Sequence, residues 1–164
     1  MITVLLSVPD DAQHLARSLT ALVPAAVEGL VRDAYVVGTP GDDEIEAVAD
    51  AAGAELVGRE ALTETIAAAR GEWLLLMEGG ARPLDGWMTA VREWMEEPGR
   101  GAATFTLVGK RKALFGFLER EEPLRRGVLM RKSDMEAAGA ADDLKSLARG
   151  QSTKRLSARM APPA

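Results

Sequence analysis

Residues 2–8 form an apolar run closed by Pro9, the pattern of a strand buried on both faces. Ala12, Leu15, Ala16, Leu19, Leu22 and Val23 then return at helical spacing, and Pro24 predicts the end of that helix. A second strand is expected over 34–37, closed by Gly38-Thr39-Pro40-Gly41. Asp42 or Asp43 can cap the next helix, whose inner face is Ile45, Val48, Ala49 and Ala52, and Gly53 ends it. A third strand (54–57), a helix (61–69) with Gly71 just past its end, and a fourth strand (73–77) follow. Trp87, Val91, Trp94 and Met95 share one helical face, stopped by Pro98-Gly99, and their spacing predicts core positions for the tryptophans. Beyond it the pattern predicts strands at 102–108 and 128–130 and helices at 133–138 and 144–149.

Strands alternating with helices of about ten residues predict an α/β fold: three layers around an open, mostly parallel, doubly wound sheet. The pattern predicts one domain over 1–160, with an insertion at 109–126 and a tail at 161–164. A chain of 164 residues is long enough for a full core. It has no cysteine and a single histidine, His14, which excludes disulfides, thiolate metal sites and histidine-built metal sites. The first apolar run has no basic flank and no cleavage signal, and nothing approaches a membrane span, so the expected location is cytoplasmic.

Charge is distributed unevenly. The first hundred residues carry seven Arg, no Lys and 18 acids, whereas the remainder carries 13 cations and 7 acids. A basic final third suits a phosphate-bearing ligand, an anionic membrane surface or two oppositely charged solvated faces. Within it, residues 110–118 (Lys-Arg-Lys-Ala-Leu-Phe-Gly-Phe-Leu) mix cations with large apolar groups. That composition fits packing on the protein's own sheet, a partner protein, or peripheral contact with the inner face of a membrane. No nucleic-acid module is present.

The most informative stretch is Trp73-Leu-Leu-Leu-Met-Glu78-Gly79-Gly80-Ala-Arg82-Pro-Leu-Asp-Gly86-Trp87. A strand runs into a small-residue turn with one acid at its carboxyl end, where open α/β sheets bind ligands. Glu78 is a candidate metal ligand, an acceptor for a sugar hydroxyl, or a turn acid. Gly79 and Gly80 permit close backbone approach, and their amides are candidate anion donors. Arg82 and Arg59 offer forks to a diphosphate or surface ion pairs. Asp10 and Asp11 follow the first strand and either meet a nucleoside or cap a helix. Thr39 follows the second strand, at a nucleotide position or in a simple turn.

From Gly58-Arg59-Glu60-Ala61 through Ala69-Arg70-Gly71-Glu72 to Trp87, the sequence resembles the family 2 inverting glycosyltransferases of the GT-A fold, in their short bacterial form. Ser7-Val8-Pro9, Lys112 to Gly116, Gly127 to Lys132, and Ala138-Gly139 with Asp142-Asp143-Leu144 extend the resemblance more weakly. It implies a nucleotide-diphosphate sugar as substrate, gripped by Pro9, Asp10, Thr39, Arg59, Glu78, Gly80 and Arg82. It also implies Asp142 or Asp143 as the base that deprotonates the acceptor; each is equally a helix cap. The departures are specific. The family's Asp-x-Asp reads Glu78-Gly79-Gly80, its acids after the second strand read Gly38-Thr39, and its late Asp-Gln reads Arg125-Arg126. One carboxylate is a poor hard-cation site, so Mg or Mn is disfavoured as cofactor. Two readings follow: a small glycosyltransferase of doubtful metal dependence, or a catalytically inactive GT-A-like binding module. A metal-independent nucleotidyl- or phosphosugar-handling enzyme is a third, which lacks the Gly-rich phosphate loop.

Overall fold

The computed structural model describes residues 1–39, 43–109, 122–138 and 143–163. Asp42, Asp142 and residues 110–118 lie outside the described residues, so the cap, the second candidate base and the basic-apolar surface expected there are not placed.

Among the described residues eight strands form one sheet: β1 (Ile2–Ser7), β2 (Val31–Val37), β3 (Glu55–Val57), β4 (Trp73–Met77), β5 (Arg82–Pro83), β6 (Ala103–Leu107), β7 (Val128–Arg131) and β8 (Lys154–Ala161). Their order is β3-β2-β1-β4-β7-β6-β8-β5. The β3-β2-β1-β4 half is wholly parallel, and β4–β7, β6–β7 and β5–β8 are antiparallel. The sheet is therefore parallel where the alternation of strand and helix is regular and mixed beyond it.

Helices cover both faces: α1 (Ala12–Val27), α2 (Asp43–Ala51), α3 (Leu62–Ala68), α4 (Trp87–Glu96), α5 (Pro123–Arg126), α6 (Lys132–Ala138) and α7 (Leu144–Arg149). The period-two alternation of each central strand divides the core in two. Ile2, Val4 and Leu6 of β1 and Trp73, Leu75 and Met77 of β4 pack with α1, α2 and α4. Leu5, Leu74 and Leu76 point to the other side, against Leu62 and Ile66 of α3, Leu124 of α5 and Leu144 and Leu147 of α7. Both faces being dry, these strands read as continuous apolar runs, and a Leu75→Ala cavity would cost about 2–5 kcal/mol. All three tryptophans are core residues: Trp73, Trp87 and Trp94 are buried.

Three departures from the sequence pattern have physical reasons. Helix α1 continues through Pro24 to Val27, because Pro24 sits in the exposed last turn. Its ring costs one hydrogen bond there, while the Pro24 carbonyl still accepts from Glu28 N–H at 3.0 Å and Ala25 is fully buried. The tail expected at 161–164 starts inside a strand: Ala161 completes β8, pairs with Arg82 of β5 and is buried. Finally, the expected insertion contributes to the core through residues 122–126, where α5 carries the buried Leu124.

The amino end of the parallel half shows why the Ala69-Arg70-Gly71 segment is so constrained. Asp33 Oδ1 accepts from Thr3 Oγ1 at 2.6 Å, Asp33 Oδ2 from Arg70 N–H at 3.1 Å, and Thr3 Oγ1 from Gly71 N–H at 3.0 Å. A Cβ on Gly71 would stand 2.4 Å from Thr3 N, so only glycine lets this loop lie on β1.

Candidate functional site

Strand order reverses between β1 and β4, and at such a switch point the loops leaving the strands' carboxyl ends splay apart into a crevice. Here the crevice holds about 760 Å³. Pro9 and Asp10 enter it after β1, Gly38 and Thr39 after β2, Arg59 after β3, and Glu78 and Gly79 after β4. Leu124, Asp143 and Lys145 close the opposite side from α5 and the start of α7. Of the residues singled out in the sequence, Pro9, Asp10, Thr39, Arg59, Glu78 and Asp143 thus come together. Arg82 does not: it lies on β5, opposite Ala161, and is not part of the lining.

The paired acids after β1 divide their work. Asp11 Oδ1 accepts from Gln13 N–H at 2.6 Å and caps α1, which leaves Asp10 exposed at the rim of the crevice. The glycine turn after β4 is closed rather than open. Gly79 N–H donates to Ser7 Oγ at 3.1 Å, and Gly80 N–H donates to Ser18 Oγ at 2.8 Å. Ser18 Oγ in turn donates to the Ala81 carbonyl at 2.7 Å. Neither amide is left to bind an anion, which corrects the expectation drawn from the sequence. A Cβ on Gly79 would meet Ser7 O at 2.3 Å, and one on Gly80, where φ is +95°, would meet Pro163 and His14 at 3.0 and 3.2 Å. Gly80 is a packing residue beneath the crevice, and Gly79 alone of the two lines it.

Glu78 is half-buried, and desolvation raises its pKa above 4.5, opposed by the positive charges of Arg125 and Lys145. Arg125 Nε stands 3.4 Å from Glu78 Oε2. That contact compensates charge without making a hydrogen bond, so this buried oxygen keeps an unfilled acceptor position. Asp143 is held differently. Its Oδ1 accepts from Ser146 N–H at 2.7 Å, capping α7, and this bond is the main reason its pKa falls below 3.8. A carboxylate so stabilised is a weak proton acceptor.

The donor set does not fit a hard divalent cation. Such an ion needs carboxylates plus substrate phosphates. Glu78 supplies one carboxylate already paired with a guanidinium, Gly79 and Gly80 supply none, and no cluster of three candidate ligands exists among the described residues.

Contributors not singled out as site residues from the sequence include Val37, Lys145, Leu124, His14 and Pro163. Lys145 follows the Asp142-Asp143-Leu144 segment directly and was within reach. Pro163 was hidden because it follows β8, whose alternating Leu156, Ala158 and Met160 are the overlooked signal. Among the described residues no helix is long and apolar enough to cross a membrane.

This arrangement, a β3-β2-β1-β4 sheet with a crevice at its reversal and a mixed half beyond it, is the GT-A fold of nucleotide-sugar glycosyltransferases. Neither a family model nor a curated protein matches the sequence, but solved structures match the fold. Glucosyl-3-phosphoglycerate synthase from Mycobacterium tuberculosis, in complex with Mn²⁺, UDP and glucosyl-3-phosphoglycerate, superposes with a TM-score of 0.58 at 19% identity, over 81% of this chain and 57% of that one. Mannosyl-3-phosphoglycerate synthase from Rubrobacter xylanophilus gives 0.60 at 16% identity, over 81% and 54%. The chain spans little more than half the length of these neighbours.

Proposed function

We propose that the crevice binds a nucleotide-diphosphate sugar and that the chain is a small glycosyltransferase-like protein. In this reading the nucleoside lies between the Pro9-Asp10 segment and Thr39, and the diphosphate lies toward Glu78, Arg59 and Lys145. The observation that supports it best is convergence: loops after four different strands meet at one open crevice at the switch point of the sheet. Transfer with inversion requires the acceptor oxygen to attack the anomeric carbon as the bond to the diphosphate breaks, with a base taking the acceptor's proton. Cations that offset the charge of the leaving diphosphate supply the electrostatic part.

A second reading is a binding module that holds a nucleotide sugar without transferring it. The capping of α7 by Asp143 favours it, because that contact spends the only described carboxylate on the acceptor side that stands where a base is expected. Calorimetry with UDP-, GDP-, CDP- and dTDP-sugars, in EDTA and in Mn²⁺, tests the shared part. Binding of one class supports both readings, and silence under every condition removes both. Release of nucleoside diphosphate on adding acceptor sugars, followed by coupled assay, then separates transferase from module.

A further inference from the structure

Among the described residues the crevice has no group of three candidate metal ligands, and the amides of its central turn are spent, yet a nucleotide sugar would bring a diphosphate to this place. The charge has to be met by side chains. Arg125 is placed for it by two contacts with one residue: Glu78 N–H donates to the Leu124 carbonyl at 3.1 Å, and the Glu78 carboxylate holds Arg125 Nε at 3.4 Å. A guanidinium has five N–H donors in a rigid fork. Nε is the nitrogen nearest Glu78, and the side chain is 49% exposed. Arg125 does not itself line the crevice, but Glu78 and Leu124 on either side of it do, so a ligand lying against Glu78 comes within reach of the fork.

The helix bearing Arg125 is fixed in turn. Glu122, at the head of α5, accepts from Arg149 Nε at 2.8 Å and from Arg149 Nη2 at 2.5 Å. Leu124 is buried with Leu144 and Leu147, which joins α5 to α7. Helix α7 carries Lys145 into the crevice lining, where its ammonium also bears on Glu78. Lys145 makes no ion pair with another described residue.

We propose that Arg125, docked on Glu78, and Lys145 form a built-in cationic seat for the diphosphate of the bound nucleotide, doing in this chain the charge work of a divalent ion. The seat rests on the reading of the crevice as a nucleotide-sugar site and adds to it a metal-free mode of recognition. Glu78 is then a positioning residue: it aims Arg125 and does not itself grip phosphate.

The test is calorimetry on the full chain in EDTA and in Mn²⁺, with pyrophosphate as the base-free probe and UDP, GDP, CDP and dTDP against their monophosphates. The seat predicts diphosphate binding in EDTA, changed less than about threefold by Mn²⁺. Lys145→Ala and Arg125→Ala should each weaken the bound diphosphate about tenfold or more, the cost of a lost charge-assisted contact. The monophosphate of the same nucleoside should weaken much less. Arg125→Lys should recover only part of the loss, because an ammonium lacks the fork. Should Arg125→Ala unfold by circular dichroism, the pair Glu78→Gln with Arg125→Ala removes the stranded carboxylate, and the exposed Lys145→Ala tests the seat independently. Diphosphate binding that appears only with Mn²⁺, or variants that bind like the native chain, would overturn the seat while leaving the nucleotide-sugar reading intact. Pyrophosphate binding with no binding of any nucleoside diphosphate overturns that reading, and with it the assignment of the cationic pair to a nucleotide. No binding of any probe overturns both.

Discussion

Restoring the second acid of the Asp-x-Asp by Gly80→Asp is the obvious way to seek a metal site, and the structure predicts that it damages the fold instead. Gly80 is buried at φ +95°, a conformation L residues rarely adopt. Holding a non-glycine residue there costs about 1–3 kcal/mol. The new Cβ would stand 3.0 Å from Pro163 Cβ and 3.2 Å from His14 Cβ, with a carboxylate still to be housed beyond it. Overpacking of that kind adds about 1–3 kcal/mol. The sum, about 4 kcal/mol, is a large part of a typical domain's 5–15 kcal/mol. For a domain of this size each kcal/mol moves Tm by about 2–4 °C, so Gly80→Asp should lower Tm by about 8–16 °C. Thermal unfolding followed by circular dichroism, with Mn²⁺ titration by calorimetry, measures both consequences. A variant that melts within about 2 °C of the native chain and gains Mn²⁺ binding would refute the packing argument.

Three further outcomes follow from single contacts. Burial raises the Glu78 pKa, so the fold favours its neutral form; that contribution is full below the ordinary value of 4.5 and is lost as pH rises through the raised one. The stability of the native chain minus that of Glu78→Gln, from urea unfolding between about pH 4 and 7, should therefore fall as pH rises, and a difference that grows would contradict the assignment. Asp11→Ala should cost about 1 kcal/mol of stability through the lost cap of α1, whereas Asp10→Ala should leave stability unchanged and weaken nucleotide binding; equal effects of the two would contradict the division of labour. Gly71→Ala should cost at least about 1–3 kcal/mol by overpacking against the β1 backbone, read by the same urea titration.

The parallel half of the fold was legible because its central strands β1 and β4 are buried on both faces and each helix there has one dry side. Strands β1 and β4 and helices α2, α4 and α7 stand within a residue or two of where periodicity puts them. The mixed half was not, for local reasons. Strand β8 alternates Leu156, Ala158 and Met160 with Arg155, Ser157 and Arg159, a half-exposed alternation that is easily mistaken for a polar terminus. Strand β5 is two residues long, and no periodicity exists over two residues. In the candidate site, acids and basic groups at strand ends could be found because position along a strand predicts the rim of the sheet. Their partners could not be: nothing in the sequence says that Ser7 and Ser18 take the glycine amides, or that Arg125 lies against Glu78 across 47 residues.

The most direct measurement is a crystal structure of the chain with a bound nucleoside diphosphate, grown in EDTA. The account predicts the nucleoside between Pro9-Asp10 and Thr39, and the diphosphate on Arg125 and Lys145 with no ion bridging it to Glu78. A nucleotide bound away from the ends of β1 and β4, or one seated only through a metal on Glu78, would contradict it.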